Sequence, residues 1–575
     1  MRAAAGAVGF LIALAPALPA GAATPPPESP LACPGVALTE VAEAAGVPFR
    51  HRSGASPLKH LPETMGAGLA WLDFDGDGWL DLYLVQSGPF PPDGSAGAPS
   101  RLFRNRGPDA AGRVRFESVA DDGGAGIPGD AARDYGQGVV AADVEGDGDA
   151  DLLVTSFGRD ALLVNGGDGR FAPAGEGAGL GRHPGWSSSA AFADGDGDGD
   201  LDLYVARYVD YDPARPLFCG DPKSGRREYC DPSLFTGAPD LYFRNRGDGT
   251  FAEAAREAGL ADPLGKGLGV LFVDLDGDLR PEVYVANDQT INLLFANRGG
   301  GRFEDVSLVS GTAVNRDGMA EAGMGLAAAD FDGDGDADLA VTNFDFETNT
   351  LYRNLGGLQF EDDSAETGFG PPSLNLLGFG LAALDLDLDG DLDYYVANGH
   401  VFERPPRQGV TYEQPGLVLL GDGRGRFTAA TCPVYGGGRP GLGRGLAAAD
   451  YDNDGDPDLG VQNNDRPLAL LRNDGKATAG WVGVALHGRG GNSAGVGAKV
   501  RLLTSAGPQT RWVLAGESYL SSGDKRALFA LPAGARAEAV EVTWPSGARQ
   551  RVVAPPTGRY LTLVEPDPPA QTPGT

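Results

Sequence analysis

The chain has 575 residues, with 46 Lys and Arg against 79 Asp and Glu, a formal net charge of −33. That length exceeds one ordinary domain and suits either a large core or an array of repeats. An acidic chain without a basic stripe cannot release counterions from phosphates, which excludes nucleic acid as a partner.

Residues 1–23 open with Arg2, run uncharged through FLIALAPAL and end in small residues, with Ala20, Gly21 and Ala22 offering a cleavage site. The pattern predicts a secretory signal peptide and hence a secreted or periplasmic protein. Pro16 and Pro19 shorten the apolar stretch below the roughly 20 residues that a membrane span needs, and no later segment could cross. Residues 24–35 contain TPPPESP, a stiff extended linker. Pro30 stands where a lipoprotein box has an aliphatic residue, which argues against lipidation of Cys33.

From Asp73 the chain repeats one nine-residue pattern seven times: DFDGDGWLD, DVEGDGDAD at Asp143, DGDGDGDLD at Asp194, DLDGDLRPE at Asp274, DFDGDGDAD at Asp330, DLDLDGDLD at Asp385 and DYDNDGDPD at Asp450. Acids fill the first, third, fifth and ninth places, and Gly usually fills the sixth. Four acids in nine residues repel one another unless a positive charge sits among them. Ca²⁺ takes six to eight oxygens in flexible geometry, so alternate carboxylates of a tight loop can converge on it; Mg²⁺ is stricter, and Zn²⁺ wants His or Cys, which the loops lack. An EF-hand is excluded, because its last ligand falls at place twelve between helices. Here the flanks, such as VVAAD and DLLVTS, read as short buried strands, so each loop is a metal-clasped hairpin. Bare Asp-Gly hairpin turns are the alternative, and they do not require four acids at one spacing seven times over.

After each loop comes a second signature, LFRNRG from Leu102 and LYFRNRGDGTF from Leu241 among them, supplying a strand, a turn and usually another strand headed by Phe. Most loops are preceded by a Gly-x-Gly lead-in, as in GAGLAWLD and GMGLAAAD. One unit is thus four short strands, and loop starts lie 70, 51, 80, 56, 55 and 65 residues apart. The expected fold is all-β: a seven-bladed β-propeller over residues 36–478. A parallel β-helix would instead need contiguous nine-residue repeats.

An even number of cysteines in an exported chain suggests two disulfides. Cys219 and Cys230 bracket the charged excursion CGDPKSGRREYC and would staple it. Cys33 and Cys432 remain, and in a closed ring a bridge between them would clasp the N-terminal segment to the last repeats.

The hairpins and their L-x-R-N-x-G-x-G-x-F tails resemble FG-GAP (VCBS-type) repeats. The order of YVDYDPARPLFCGDPKSGRREYC, YVANDQTIN, RDGMAEAGMG, TNFDFETNTLYRN and VANGHVFE resembles the cartilage acidic protein family. WVGVALHG, GNSAGVGAKVRL, GESYLSSGDKRALFAL and VEVTWPSGARQ resemble its ASPIC/UnbV domain, here a small β-rich unit over residues 479–566 before a tail at 567–575. The resemblance implies up to seven Ca²⁺ ions. Their ligands would be Asp73, Asp75, Asp77 and Asp81; Asp143, Glu145, Asp147 and Asp151; Asp194, Asp196, Asp198 and Asp202; Asp274, Asp276, Asp278 and Glu282; Asp330, Asp332, Asp334 and Asp338; Asp385, Asp387, Asp389 and Asp393; and Asp450, Asp452, Asp454 and Asp458. The seventh place would add a backbone carbonyl. The fourth loop departs, with Leu279 in place of Gly and Glu282 in place of Asp, and is expected to be the weakest site or empty.

Catalytic motifs are absent from the sequence, and its five histidines, His51, His60, His183, His400 and His487, have no partner spacing. Turn and core roles are expected for Asn492, Ser521, Asp524 and the WPSG segment at Trp544. The expected function is a calcium-dependent binding or adhesion-like module that meets a protein or glycan ligand at the rim of the propeller. A lectin-like polysaccharide binder and a biosynthetic enzyme or accessory protein are the alternatives.

Overall fold

A computed structural model describes residues 29–30, 36–91, 99–119, 134–261, 265–432, 440–475 and 479–567. The expected signal peptide, the end of the tail and Cys33 lie outside them.

Seven four-stranded antiparallel units form the first part of the chain. In blade one the strands are Leu69–Leu72, Asp81–Leu84, Arg101–Pro108 and Val114–Ser118, in that order from the axis outward. The innermost strands of the next six blades are Tyr135–Ala142, Gly185–Ala193, Gly267–Val273, Leu326–Ala329, Gly378–Leu384 and Gly443–Ala449. Each touches the next, and the seventh returns to the first, so the ring is closed. Closure joins the first strand of the propeller region to its last blade. Leu38–Glu40 pairs with Ala469–Asn473 as the outer strand of blade seven, with Leu38 opposite Asn473.

Inner strands converge on the axis, which is why they are built of small residues such as Ala327, Ala329, Ala447 and Ala449. The lead-in glycines serve the same crowding. A Cβ on Gly325 would stand 2.0 Å from the Phe379 carbonyl oxygen of the next blade. Every pair of neighbouring blades shares one apolar cluster, seven in all around the ring. The Phe that heads the outer strand, as at Phe171, Phe251, Phe303 and Phe360, is buried in such a cluster. Each burial contributes about 1.5–3 kcal/mol, so blades hold one another rather than folding alone.

The C-terminal part is a second β unit. One sheet has Trp481–His487 between Ala527–Ala530 and Tyr560–Val564; the other orders Gly507–Trp512, Lys499–Thr504, Ala537–Thr543 and Arg549–Val553. Val484, Val500, Phe529, Val540 and Trp544 fill the core between them.

Between the strands at Gly507–Trp512 and Ala527–Ala530, residues 513–526 leave this unit and enter the ring along its axis. Phe192 N–H donates to Ala515 O at 2.8 Å, Val139 N–H to Leu520 O at 3.0 Å, Trp71 N–H to Ser522 O at 3.1 Å and Asp524 N–H to Ala448 O at 3.0 Å. Leu326 and Ser518 exchange a backbone pair. Leu381 N–H of blade six donates to Ser518 Oγ at 3.0 Å, so one loop caps inner-strand groups of six blades and fills the channel. Gly68 is obligatory here, because a Cβ would lie 1.6 Å from Leu520 O.

The acidic loops and the C-terminal unit share one face of the ring. Arg526 Nη2 donates to Asp450 O at 2.6 Å, Tyr560 OH to Asp450 Oδ2 at 2.9 Å, and Lys499 to the Gly335 carbonyl. The opposite face carries the longer connections, including the blade-three excursion, where Cys219–Asp221 and Arg226–Glu228 form a hairpin closed by the Cys219–Cys230 disulfide. Cys432 is buried and also disulfide-bonded; its expected partner, Cys33, lies outside the described residues.

Candidate metal centres

All seven loops join the innermost strand of a blade to its second strand, and their places divide the work. The first-place acid organises the turn: Asp73 Oδ2 accepts Gly78 N–H at 2.8 Å, and Asp143 Oδ2 accepts Gly148 N–H at 2.8 Å. The fifth-place acid closes an Asx turn on place seven, as from Trp79 N–H to Asp77 Oδ1 at 3.0 Å. The ninth-place acid is buried, and in blade one it ties strands together, Asp81 accepting Phe74 N–H at 3.1 Å and Asn105 N–H at 2.7 Å. Two places take left-handed backbone, the fourth and the sixth: Gly76 has φ +70° and Gly78 φ +87°. The fourth loop has Leu279 at the sixth place with φ +70°, a strained conformation for a γ-branched residue. Its N–H nevertheless donates to Asp274 Oδ2 at 3.0 Å, as Gly does elsewhere.

At the third place, Asp276 Oδ1 and Asp332 Oδ1 each accept the N–H two residues on at 3.3 Å, whereas four loops leave an oxygen unserved. Asp75 Oδ1, Glu145 Oε2, Asp196 Oδ1 and Asp452 Oδ1 are buried oxygens without a hydrogen-bond donor. Asp75 faces Arg104 of the same blade at 2.5 Å, and Asp196 faces Arg244 at 3.8 Å, so cations already approach two of them. Carboxylate oxygens gather within 4.8 Å of one another in the sets Asp73, Asp75, Asp81; Asp143, Glu145, Asp151; Asp194, Asp196, Asp198; Asp274, Asp276, Glu282; and Asp330, Asp332, Asp338.

Burial first, and the neighbouring acids after it, raise the pKa of these groups. Asp81 is pushed up to about 8, Asp151 and Asp338 to about 9, Glu282 and Asp393 to about 8, and Asp452 to about 8. Asp458 rises well above its ordinary value. A converging set of hard oxygens that the protein alone cannot keep ionised suits a divalent cation. The residues therefore fit Ca²⁺, which would take the third-place oxygens left bare and neutralise each cluster.

Five loops carry an acid at the seventh place, and the seventh loop alone buries it. Asp456 occupies its seventh place, where the sequence pattern asks only for a carbonyl, and Asp456 Oδ1 is also buried without a donor. The Asp456 carboxyl is pushed up to about 10 by burial and by Asp454.

A residue that the loop pattern does not contain locks the ring. The Asn of the third-strand R-N-x-G signature donates its amide to a carbonyl in the loop of the preceding blade: Asn105 to Tyr451 O, Asn165 to Phe74 O, Asn245 to Val144 O, Asn297 to Gly195 O, Asn354 to Leu275 O and Asn473 to Leu386 O, all at 2.8–2.9 Å. Its own Oδ1 accepts the N–H two residues on, as Gly107 does to Asn105 at 2.9 Å. Blade six has Gly421 at this place and so lacks the amide, although Gly421 N–H still reaches Asp393 Oδ1 at 2.8 Å. The acidic loops and the blade-to-blade contacts are one network.

The histidines lie away from it. His400 is buried on the opposite face, with Nδ1 accepting Phe402 N–H at 2.9 Å and Nε2 3.4 Å from Asp345 Oδ1. His51 Nε2 stands 2.9 Å from Ser87 Oγ, whose hydroxyl donates to Gly136 O at 2.8 Å. Burial lowers the His51 pKa to about 4, which keeps the ring neutral. His60 Nδ1 meets Tyr211 OH at 2.8 Å, His183 packs edge-on to Phe243, and His487 is exposed at a strand end. In the C-terminal unit, Asn492 bonds Val496 through both ends of its amide, Ser521 Oγ bonds Tyr519 O, Asp524 accepts Arg526 N–H, and Trp544 is core.

Comparison with known proteins agrees with this architecture. The model of an FG-GAP-like repeat matches residues 73–154, 143–205, 274–341 and 330–396, and the model "ASPIC and UnbV" matches residues 488–570. Human cartilage acidic protein 1 is 24% identical over 511 residues, covering 86% of this chain and 62% of its own length. The mouse protein is 25% identical over 509 residues, covering 86% and 64%. The Xenopus tropicalis protein is 25% identical over 320 residues, covering 53% and 45%. This chain therefore spans less than two thirds of the curated relatives it matches. A solved structure of an Agrocybe aegerita lectin, described as recognising non-reducing terminal N-acetylglucosamine, aligns with a TM-score of 0.37 and 18% identity over 70% of this chain and 87% of that one. The chain is thus a β-propeller of FG-GAP-like repeats with a C-terminal ASPIC and UnbV segment, similar over most of its length to cartilage acidic protein 1.

Proposed function

We propose that this protein is an exported, calcium-loaded binding module, in which the ions rivet the blades and the face opposite the C-terminal unit meets a partner. The observation that carries the calcium reading is the set of third-place oxygens, Asp75 Oδ1, Glu145 Oε2, Asp196 Oδ1 and Asp452 Oδ1, buried with no donor of their own. Export is supported by the Cys219–Cys230 disulfide, a bond that oxidising compartments sustain. The assignment of the contact face follows from space: the acidic loops on the other face already lie against the C-terminal unit.

Calcium acts here as structure rather than as a reagent. Extracellular modules bind it at about 10⁻⁴ to 10⁻³ M. With about 1 mM calcium and a Kd of ~0.1 mM, linkage supplies ~1.4 kcal/mol per site and ~10 kcal/mol for seven independent sites, comparable to the whole stability of an ordinary domain. The test is a metal count. Protein dialysed against calcium should retain up to seven ions by atomic emission, and Asp452→Asn should retain one fewer. Retention of none would overturn the reading.

A further inference from the structure

The axis of the ring is closed from the acidic face by residues 513–526, and this leaves a blind pocket of about 220 Å³ on the opposite face. Behind its lining residue Phe379 lies the tip of the inserted loop, where Tyr519 packs on that ring with centroids 5.1 Å apart. Three carboxylates line it: Asp288 at 6% and Asp345 at 2% exposure, among the rings of Tyr208, Phe344 and Phe379, and the exposed Asp231, which accepts Ser233 N–H at 2.9 Å.

The carboxylates have few donors. Asp288 accepts the Tyr208 hydroxyl. Asp345 Oδ2 is buried with no hydrogen-bond donor, and the nearest cation, Arg407 Nη1, is 3.7 Å away. Arg407 lines the pocket half-exposed, its Nη1 donating to the Asp345 backbone carbonyl at 2.8 Å and its guanidinium resting on the Phe346 ring at 4.4 Å. Lys266 approaches from outside the lining, its Nζ donating to Pro232 O at 3.0 Å. His400 Nε2 stands 3.4 Å from Asp345 Oδ1, which leaves Asp345 Oδ2 as a buried acceptor without a donor; such an oxygen enclosed by π faces is the complement of an organic cation. An inorganic ion would use the oxygens and leave the rings idle.

The mouth adds a second feature. Leu217, Phe218, Leu234, Ile291 and Phe346 are large apolar side chains, each between 37% and 57% exposed, on the connections of this same face. None of the five lines the pocket itself, so a ligand that extends beyond it would meet apolar surface on the surrounding face.

We propose that this pocket binds a protonated amine or guanidinium group on an apolar stem, carried either by a free small molecule or by a Lys or Arg side chain of a partner protein. The proposal rests on the reading of this face as the contact surface and adds the chemistry of what enters it.

Calorimetric titration of the full chain in calcium, with n-butylguanidinium and its neutral isostere n-butylurea, tests it. The guanidinium should bind at least tenfold more tightly than the urea, and Asp345→Asn or Asp288→Asn should weaken it tenfold or more without shifting the melt. A peptide with one Arg flanked by leucines distinguishes the sources: tenfold tighter binding than n-butylguanidinium assigns the group to a protein, and equal binding assigns it to a small molecule. Absence of guanidinium binding, equal binding of the urea, or indifference to Asp345→Asn overturns the proposal. A calcium count on the same sample separates that failure from failure of the calcium reading.

Discussion

Replacing Asn354 by Ala cuts one staple between blades five and four. Asn354 is buried, and its amide donates to Leu275 O of the preceding blade at 2.8 Å and to Ala337 O at 2.9 Å, while its Oδ1 accepts Gly356 N–H at 2.9 Å. Each such bond contributes about 1 kcal/mol net, and the partners left behind are buried. The loss is therefore about 3 kcal/mol. A ring of this size unfolds with a large entropy, so the shift should be modest, about 3–6 °C by differential scanning calorimetry in calcium. Leu355→Ala, one residue on and 53% exposed, supplies the control and should leave the melt in place. Equal melting of Asn354→Ala and Leu355→Ala would refute the staple.

Three more outcomes follow from particular residues. Leu279→Gly relieves the left-handed backbone at φ +70°, and after the entropy of the added Gly it should stabilise the protein by about 0.5–1 kcal/mol in denaturant titration. Gly68→Ala drives a Cβ into Leu520 O, so it should cost about 1–3 kcal/mol and expose residues 513–526 to limited proteolysis. Burial pushes the Glu517 carboxyl in the inserted loop up to about 7, with Lys525 pulling it down in part. Between its ordinary 4.5 and about 7 the folded chain holds a proton that the unfolded chain has released, so this group makes stability fall as pH rises through that window. Glu517→Gln should flatten that slope in melts taken from pH 4.5 to 7.

What the sequence displays is what each blade does by itself. The acid spacing and flanking apolar runs are local, and they reveal seven units, the ring and the acidic clusters. The close cysteine pair at Cys219 and Cys230 marks its own hairpin. Partners far along the chain stay hidden. The R-N-x-G signature is visible, yet it reads as a turn because the carbonyl that Asn354 caps is 79 residues away in another blade. A clue was present, since the Asn follows the start of four loops by 22–24 residues and a turn alone needs only the Gly. The loop at residues 513–526 reads as part of its own unit, because its donors and acceptors sit on six blades and no periodicity marks them. The left-handed fourth place was likewise hidden by Leu388 and Asn453, which adopt φ +63° and +56° where other loops have Gly.

The central claim is that divalent ions hold these loops and, through the ninth-place acids and the asparagines, the ring. Its most direct test is the melting temperature of the protein in about 1 mM calcium before and after excess EGTA. Removal of ~10 kcal/mol of linkage should lower it by about 10 °C or more, reversibly on restoring calcium. A melt that stays within a degree would contradict the account.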